Sequence, residues 1–159
     1  MVSGGIFDLS TPQHLFQKLQ HDCQRVTAAP GDRYAAIDFL IVANHLRDWL
    51  ATSEGREVPD CPLLEVCNEL ANTSKHHKSS SRGPRSRGLR GRKPANPQVR
   101  GTKVVGGAFQ FPGFQPSGSD VGHLVVELAG DAEKEFGPEI GIEVLADKVV
   151  KYWAKQLNS

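Results

Sequence analysis

Five side chains in two short stretches have the types and spacing for proton-transfer chemistry: His45 and Asp48, then Asn72, Lys75 and His76. The first pair belongs to a segment that is otherwise largely apolar yet carries Asp38, Asn44, His45, Arg47 and Asp48. Asp38, His45 and Asp48 are spaced at seven and three, which places them within ~40° of a common line on a helix that turns 100° per residue. Such groups are too costly to bury alone, so they must meet partners or water. Asn68, Asn72, Lys75 and His76 make a second polar stripe a little further on. If the two stripes face one another they line one pocket. There an imidazole, His45 or His76, acts as general acid or base near neutral pH, and Asp48 fixes the His45 tautomer. Lys75 holds a phosphate or a developing negative charge, and Asn72 orients the substrate. This set suits metal-independent RNA cleavage.

The same residues also have a purely structural reading. His45 and Asp48 then form a satisfied i,i+3 pair, Asn72 caps a helix end, and Lys75 and His76 complement the helix dipole at its C-terminus. A third reading is a zinc or manganese site, since His45, Asp48, His76 and His77 supply nitrogen and oxygen ligands. Adjacent histidines on a helix point about 100° apart, which weakens it. We expect no metal and no cofactor.

The elements that position these groups follow from periodicity. Ser10 or Thr11 followed by Pro12 starts a helix, and Leu15, Phe16, Leu19, Cys23 and Val26 give it one apolar stripe over about residues 11–28. Residues 32–51 are apolar around most of their circumference, which marks a central helix packed on several sides. Asp60 and Cys61-Pro62 open a third helix over about 61–76, buried through Leu63, Val66, Cys67, Leu70 and Ala71. The period then changes: TKVVGGAFQF and GHLVVELA read as the two strands of a β-hairpin over about 102–129. An amphipathic helix over about 140–157, apolar at Ile142, Leu145, Ala146, Val149, Val150, Trp153 and Leu157, closes the chain. The fold class expected is mainly α: one domain, a four-helix bundle with the β-hairpin inserted between helices 3 and 4.

Charge is sharply partitioned. The chain has 159 residues and a net charge of +1, but no acidic residue stands between Glu69 and Asp120, while residues 75 to 103 hold ten Lys and Arg. The sections before, within and after that window carry −5, +10 and −4. Residues 79–98 are rich in Ser, Gly and Pro, with Leu89 their only large aliphatic residue, so this segment has nothing to bury and a flexible loop over about 77–100 is expected. Its Arg-Gly spacing suits polyanions, and Arg82, Arg85, Arg87, Arg90, Arg92 and Lys93 are the expected nucleic-acid contacts, to RNA or DNA. The loop lacks the interleaved aromatic residues on which bases stack. An extended loop that is simply well solvated, or that folds back on the acidic body, accounts for the same pattern. Three cysteines without a C-x-x-C pair argue against a disulfide framework and fit a reducing cytoplasm. No signal peptide is read at the N-terminus, and the longest apolar run, Phe39 to Ala43, is far short of the ~20 residues of a membrane helix, so no membrane partner is expected. A homodimer is compatible with the sequence.

Taken as a set, His45-Leu-Arg-Asp48-Trp49, Ala71-Asn72-Thr-Ser-Lys75-His76, Gly107-Ala-Phe109 and Tyr152-Trp153 resemble a family of uncharacterised bacterial and phage proteins. That family's pattern is H-L-x-D-W, a central A-N-x-S-K-H, a strand pair with G-A-F and a final tryptophan on the last helix. The resemblance spans about residues 11–157 and implies an architecture without a reaction, its shared positions being His45, Asp48, Trp49, Asn72, Lys75 and His76. His77 stands where the family has an aromatic residue, and the Arg-Gly loop is unusual for it. A more distant likeness is to the HEPN helical bundles, many of them ribonucleases or nucleotide-binding partners in toxin and phage-defence systems. Those ribonucleases pair an Arg with a His four to six residues later. Lys75-His76 lacks that spacing and Arg47 has no such His, so the likeness is one of fold alone. From these readings we expect an RNA-associated protein with a ribonuclease-like pocket, or a non-catalytic accessory protein whose basic loop binds an acidic partner.

Overall fold

A computed structural model describes residues 9–75, 96–106 and 122–158, with Lys75 by its backbone only. The basic stretch from His76 to Lys93 and the link between the two expected strands lie outside these residues. Helix α1 (Pro12–Ala28) starts because the Thr11 hydroxyl accepts the His14 N–H at 3.2 Å, with Pro12 in the first turn where no N–H is needed. Helix α2 (Arg33–Glu54) is capped by Asp32, whose carboxylate accepts the N–H groups of Tyr34 and Ala35 at 2.9 and 3.2 Å. It runs three residues beyond the expected Ala51, and stops at Gly55, which takes the left-handed conformation that closes a helix (φ 63°). Helix α3 (Pro62–Lys75) follows, with the Cys61 carbonyl accepting the Glu65 N–H. The expected cap, Asp60, instead turns its carboxylate to Arg47.

The four long helices, α1, α2, α3 and α5 (Ile142–Leu157), build most of the core. α1 packs on α2 and α5, and α2 packs on α3. Phe39, Leu46 and Leu50 of α2 are fully buried with Leu19 and Val26 of α1, Val66 of α3 and Leu145, Val149 and Trp153 of α5. Each comes from the apolar stripe of its helix, so burial of about 1.5–3 kcal/mol per large side chain is the main term holding the helices together. One polar group sits among them. Asp22 is 1% exposed on α1 and tolerates burial because Lys18 and Arg25, one turn to either side, pair with its two oxygens at 2.5 and 3.3 Å.

The β-structure is larger than the expected hairpin. Strands β1 (Val99–Val105) and β2 (His123–Leu128) pair antiparallel with Lys103 opposite Val125, and a bulge at Arg100 shifts the register between Val99 and Gly101. A third strand, β3 (Glu139–Gly141), takes the other side of β2 with Ile140 opposite Val126. It uses residues expected to start the last helix, which therefore begins at Ile142. A short helix, α4 (Gly130–Phe136), fills the gap between β2 and β3. Val126, Leu128 and Ile140 give the sheet its buried face, while Lys103 reaches across the other face to Glu127 and Glu139. Among the described residues no helix is long and apolar enough to cross a membrane.

The entry to α4 requires a glycine. Gly130 has φ +58°, and a Cβ there would lie 2.7 Å from Asn96 Oδ1 and 2.9 Å from the Pro97 carbonyl. Gly130→Ala is expected to destabilise the protein by about 1–3 kcal/mol, read as a lower denaturant midpoint with an unchanged slope. An unchanged midpoint would contradict this geometry.

Candidate functional site

Beside the Lys18–Asp22–Arg25–Asp38 cluster, polar features gather in two regions of the body: the flank of α2 around Arg47, and the point where the basic stretch rejoins the fold. Arg47 organises the first. Its Nη2 donates to the Val58 carbonyl at 3.0 Å and pairs with Asp60 Oδ1 at 2.5 Å, tying α2 to the turn that leads into α3. A shallow cleft of about 320 Å³ opens beside it, lined by Arg47, Asp48, Ala51, Glu57 and Val58. A much smaller one, about 10 Å³, is lined by Arg47 together with Ala43, Asn44, Leu64 and Trp153. Tyr152 and Trp153 meet edge to face, ring centres 5.5 Å apart. Burial, followed by the neighbouring Cys61 thiol, pushes the Tyr152 phenol up to about 12.

The expected catalytic residues are distributed as follows. His45 is half-buried on α2. Asp48 is exposed and lines the larger cleft, which contains neither His45 nor Asn72. Asn72 is exposed on α3 and its amide donates to Asn68 Oδ1 at 2.9 Å, an i,i+4 bond along one helix. Asp38, two turns before His45 on nearly the same line of α2, accepts from Arg25 of α1 at 2.8 Å, so that line borders α1. Leu64 of α3, in contrast, meets α2 on the Ala43, Asn44 and Arg47 side. Lys75 is the last residue of α3, and His76, Arg82, Arg85, Arg87, Arg90, Arg92 and Lys93 lie outside the described residues. Among the described residues no three His, Cys, Asp or Glu side chains form a group able to hold a metal ion.

The base of the basic stretch is held by two residues that sequence reasoning missed. Glu69 of α3 accepts the backbone N–H groups of Gln98 and Val99 at 2.8 and 3.0 Å, so the chain that leaves the end of α3 is fastened to α3 where it returns. Gln98 is 1% exposed, and its polar groups are matched by the fold. Its Nε2 donates to the Asn96 carbonyl, its Oε1 accepts the Ala132 N–H at 2.7 Å, and its carbonyl accepts the Ala129 N–H. Oε1 thereby caps α4, whose own N-cap residue, Ala129, has no side-chain acceptor. The sequence signal was faint: a single glutamine between a proline and a strand. Beyond it, Arg100 pairs with Glu133 at 3.0 Å, and Lys103 with Glu127 and Glu139.

The thiols divide by burial. Cys67 is fully buried, and removal from water pushes it up to about 12; Cys23, half-buried, is raised by burial against a hydrogen bond from Thr27. In both Cys67 and Tyr152 the folded state holds its proton more tightly than the unfolded chain, whose values are 9.0 and 10.0. Their contribution to stability is therefore complete below about pH 9 and is lost as pH rises towards about 12. We expect the denaturant midpoint to fall steadily across that window, less steeply in Cys67→Ala, and Cys67 to react with a thiol reagent only on unfolding. A midpoint independent of pH there would contradict the burial of both groups.

No protein-family model, curated protein or solved structure matches the chain.

Proposed function

We propose that this is a nucleic-acid-associated protein, RNA being the favoured substrate class, in which a mainly helical, four-helix-bundle-like body carries a basic stretch that binds phosphate. One observation carries the reading: ten Lys and Arg between residues 75 and 103, with no Asp or Glu from 70 to 119, on a body that is otherwise acidic. A cation-rich, acid-free stretch releases counterions when it meets a phosphate backbone, which gives affinity without sequence preference. Arg100 and Lys103 already pair with carboxylates of the body, so the cations this reading assigns to phosphate are Arg82, Arg85, Arg87, Arg90, Arg92 and Lys93. Three cysteines, an odd number, do not make a disulfide framework, which favours a reducing compartment, the cytoplasm.

Cleavage by His45, Asp48, Asn72, Lys75 and His76 belongs to the proposal as a separate step from binding. A second reading, an accessory protein whose basic stretch docks on an acidic partner, is favoured by the way Arg100 and Lys103 engage glutamates. One experiment separates the three: metal-stripped protein with labelled RNA and DNA, read for retention and cleavage beside His76→Ala. Retention is the expected result, and its absence would overturn the proposal in favour of a protein partner. Cleavage by the wild type alone, with His76→Ala still folded and binding, assigns the chemistry to His76; retention without cleavage leaves binding as the function.

A further inference from the structure

The small cleft between α2, α3 and α5 brings together two independent features. Trp153 is wholly buried, yet its Nε1–H has no acceptor among the described residues. An indole nitrogen can only donate, and a buried N–H without an acceptor is a costly arrangement that folded proteins rarely keep. The same tryptophan lines a cleft of about 10 Å³ whose other walls are Ala43, Asn44, Arg47 and Leu64. That is the room needed by a single water molecule and by nothing larger. Asn44 contributes an amide, with both donor and acceptor, from the middle of a helix that is mostly apolar.

We infer that this cleft is a binding site for one internal water, which accepts the Trp153 Nε1–H and donates to Asn44 Oδ1. The water satisfies the indole where no side chain among the described residues does, and it bridges α5 to α2. Arg47 walls the cleft with its Nη2 already committed to Val58 and Asp60. The size of the space excludes a carboxylate or phosphate, so the ligand class is water itself.

The chain has two tryptophans, and the half-buried Trp49 serves as an internal comparison. In NMR spectra of the isotope-labelled full chain, the Trp153 indole proton is expected to show cross-peaks to water, with nuclear and rotating-frame effects of opposite sign, as for a water that tumbles with the protein. Asn44→Leu fills the cleft and removes the acceptor, and should abolish the Trp153 cross-peak while leaving that of Trp49. A wild-type Trp153 indole without such a cross-peak overturns the inference, and so does one that survives in Asn44→Leu. Should that variant not fold, the wild-type spectrum decides alone, because the opposite-sign pair is expected there whatever Asn44→Leu does.

Discussion

Replacing Arg82, Arg85, Arg87, Arg90, Arg92 and Lys93 together by Ser is expected to weaken RNA binding by at least about 10³-fold at ~0.1 M salt. The size follows from counterion release. Each phosphate neutralised on a single strand contributes about 0.7 to the dependence of log affinity on log salt, so six contacts supply a slope near −4. At ~0.1 M salt that amounts to several decades of affinity relative to 1 M, and the variant should forfeit most of it. A single replacement, Arg87→Ser, should cost only about 5-fold and lower the slope by about 0.7. The asymmetry is itself diagnostic, since a sequence-reading contact would make one arginine dominate. Filter binding of labelled RNA by the wild type and both variants measures it, with thermal unfolding alongside; near-equal affinity of the sixfold variant would mean that the phosphates are held elsewhere.

Gln98→Ala should be the most damaging single substitution considered for the fold, at roughly 2–5 kcal/mol. It leaves the Ala132 N–H and the Asn96 carbonyl without their partners at a site that is 1% exposed, and it opens a cavity. Each buried group left unpaired costs about 1–3 kcal/mol. Gln98→Met keeps the volume and removes both side-chain hydrogen bonds, so it isolates the polar part, expected at roughly 2–3 kcal/mol. The loss should fall on α4 and the start of β1, because Gln98 joins them: Ala132 and Ala129 on one side, Glu69 and Asn96 on the other. Hydrogen exchange of the Ala132 and Val99 amides would show both accelerated. A Gln98→Met variant as stable as the wild type would contradict the capping role.

Four of the five helices among the described residues were legible in the sequence because their cues are local. Thr11-Pro12 and Asp32 supply starts within three residues of the N–H groups they satisfy, and the apolar stripes repeat within each helix. α4 and β3 were not legible, since what makes them lies far away in the chain. α4 has one buried residue, Ala132, and its cap is a glutamine 34 positions upstream; β3 is three residues long and exists because Val126 and Leu128 of β2 offer it partners. Asp22 was missed although Lys18 and Arg25 stand at the spacing that makes its burial tolerable.

The candidate site divides in the same way. The Asn68–Asn72 stripe was readable from i,i+4 spacing, but spacing along one helix leaves open which neighbour the stripe meets, and Asn72 turns out to bond within its own helix. Asp38 and His45 share a line of α2, as the sequence implied, and Arg25 of α1 is what Asp38 meets. Arg47 was visible as a charge in an apolar helix. Its tie to Val58 and Asp60 depends on how the turn before α3 folds back, which no local pattern encodes.

The central claim is that the acid-free basic stretch is a phosphate-binding element. A salt titration of RNA binding by the intact wild-type chain tests it most directly. The account predicts that log affinity falls linearly with log salt with a slope near −4, and that the slope collapses in the sixfold Ser variant. Binding that is insensitive to salt, or a slope that the sixfold variant retains, would contradict it.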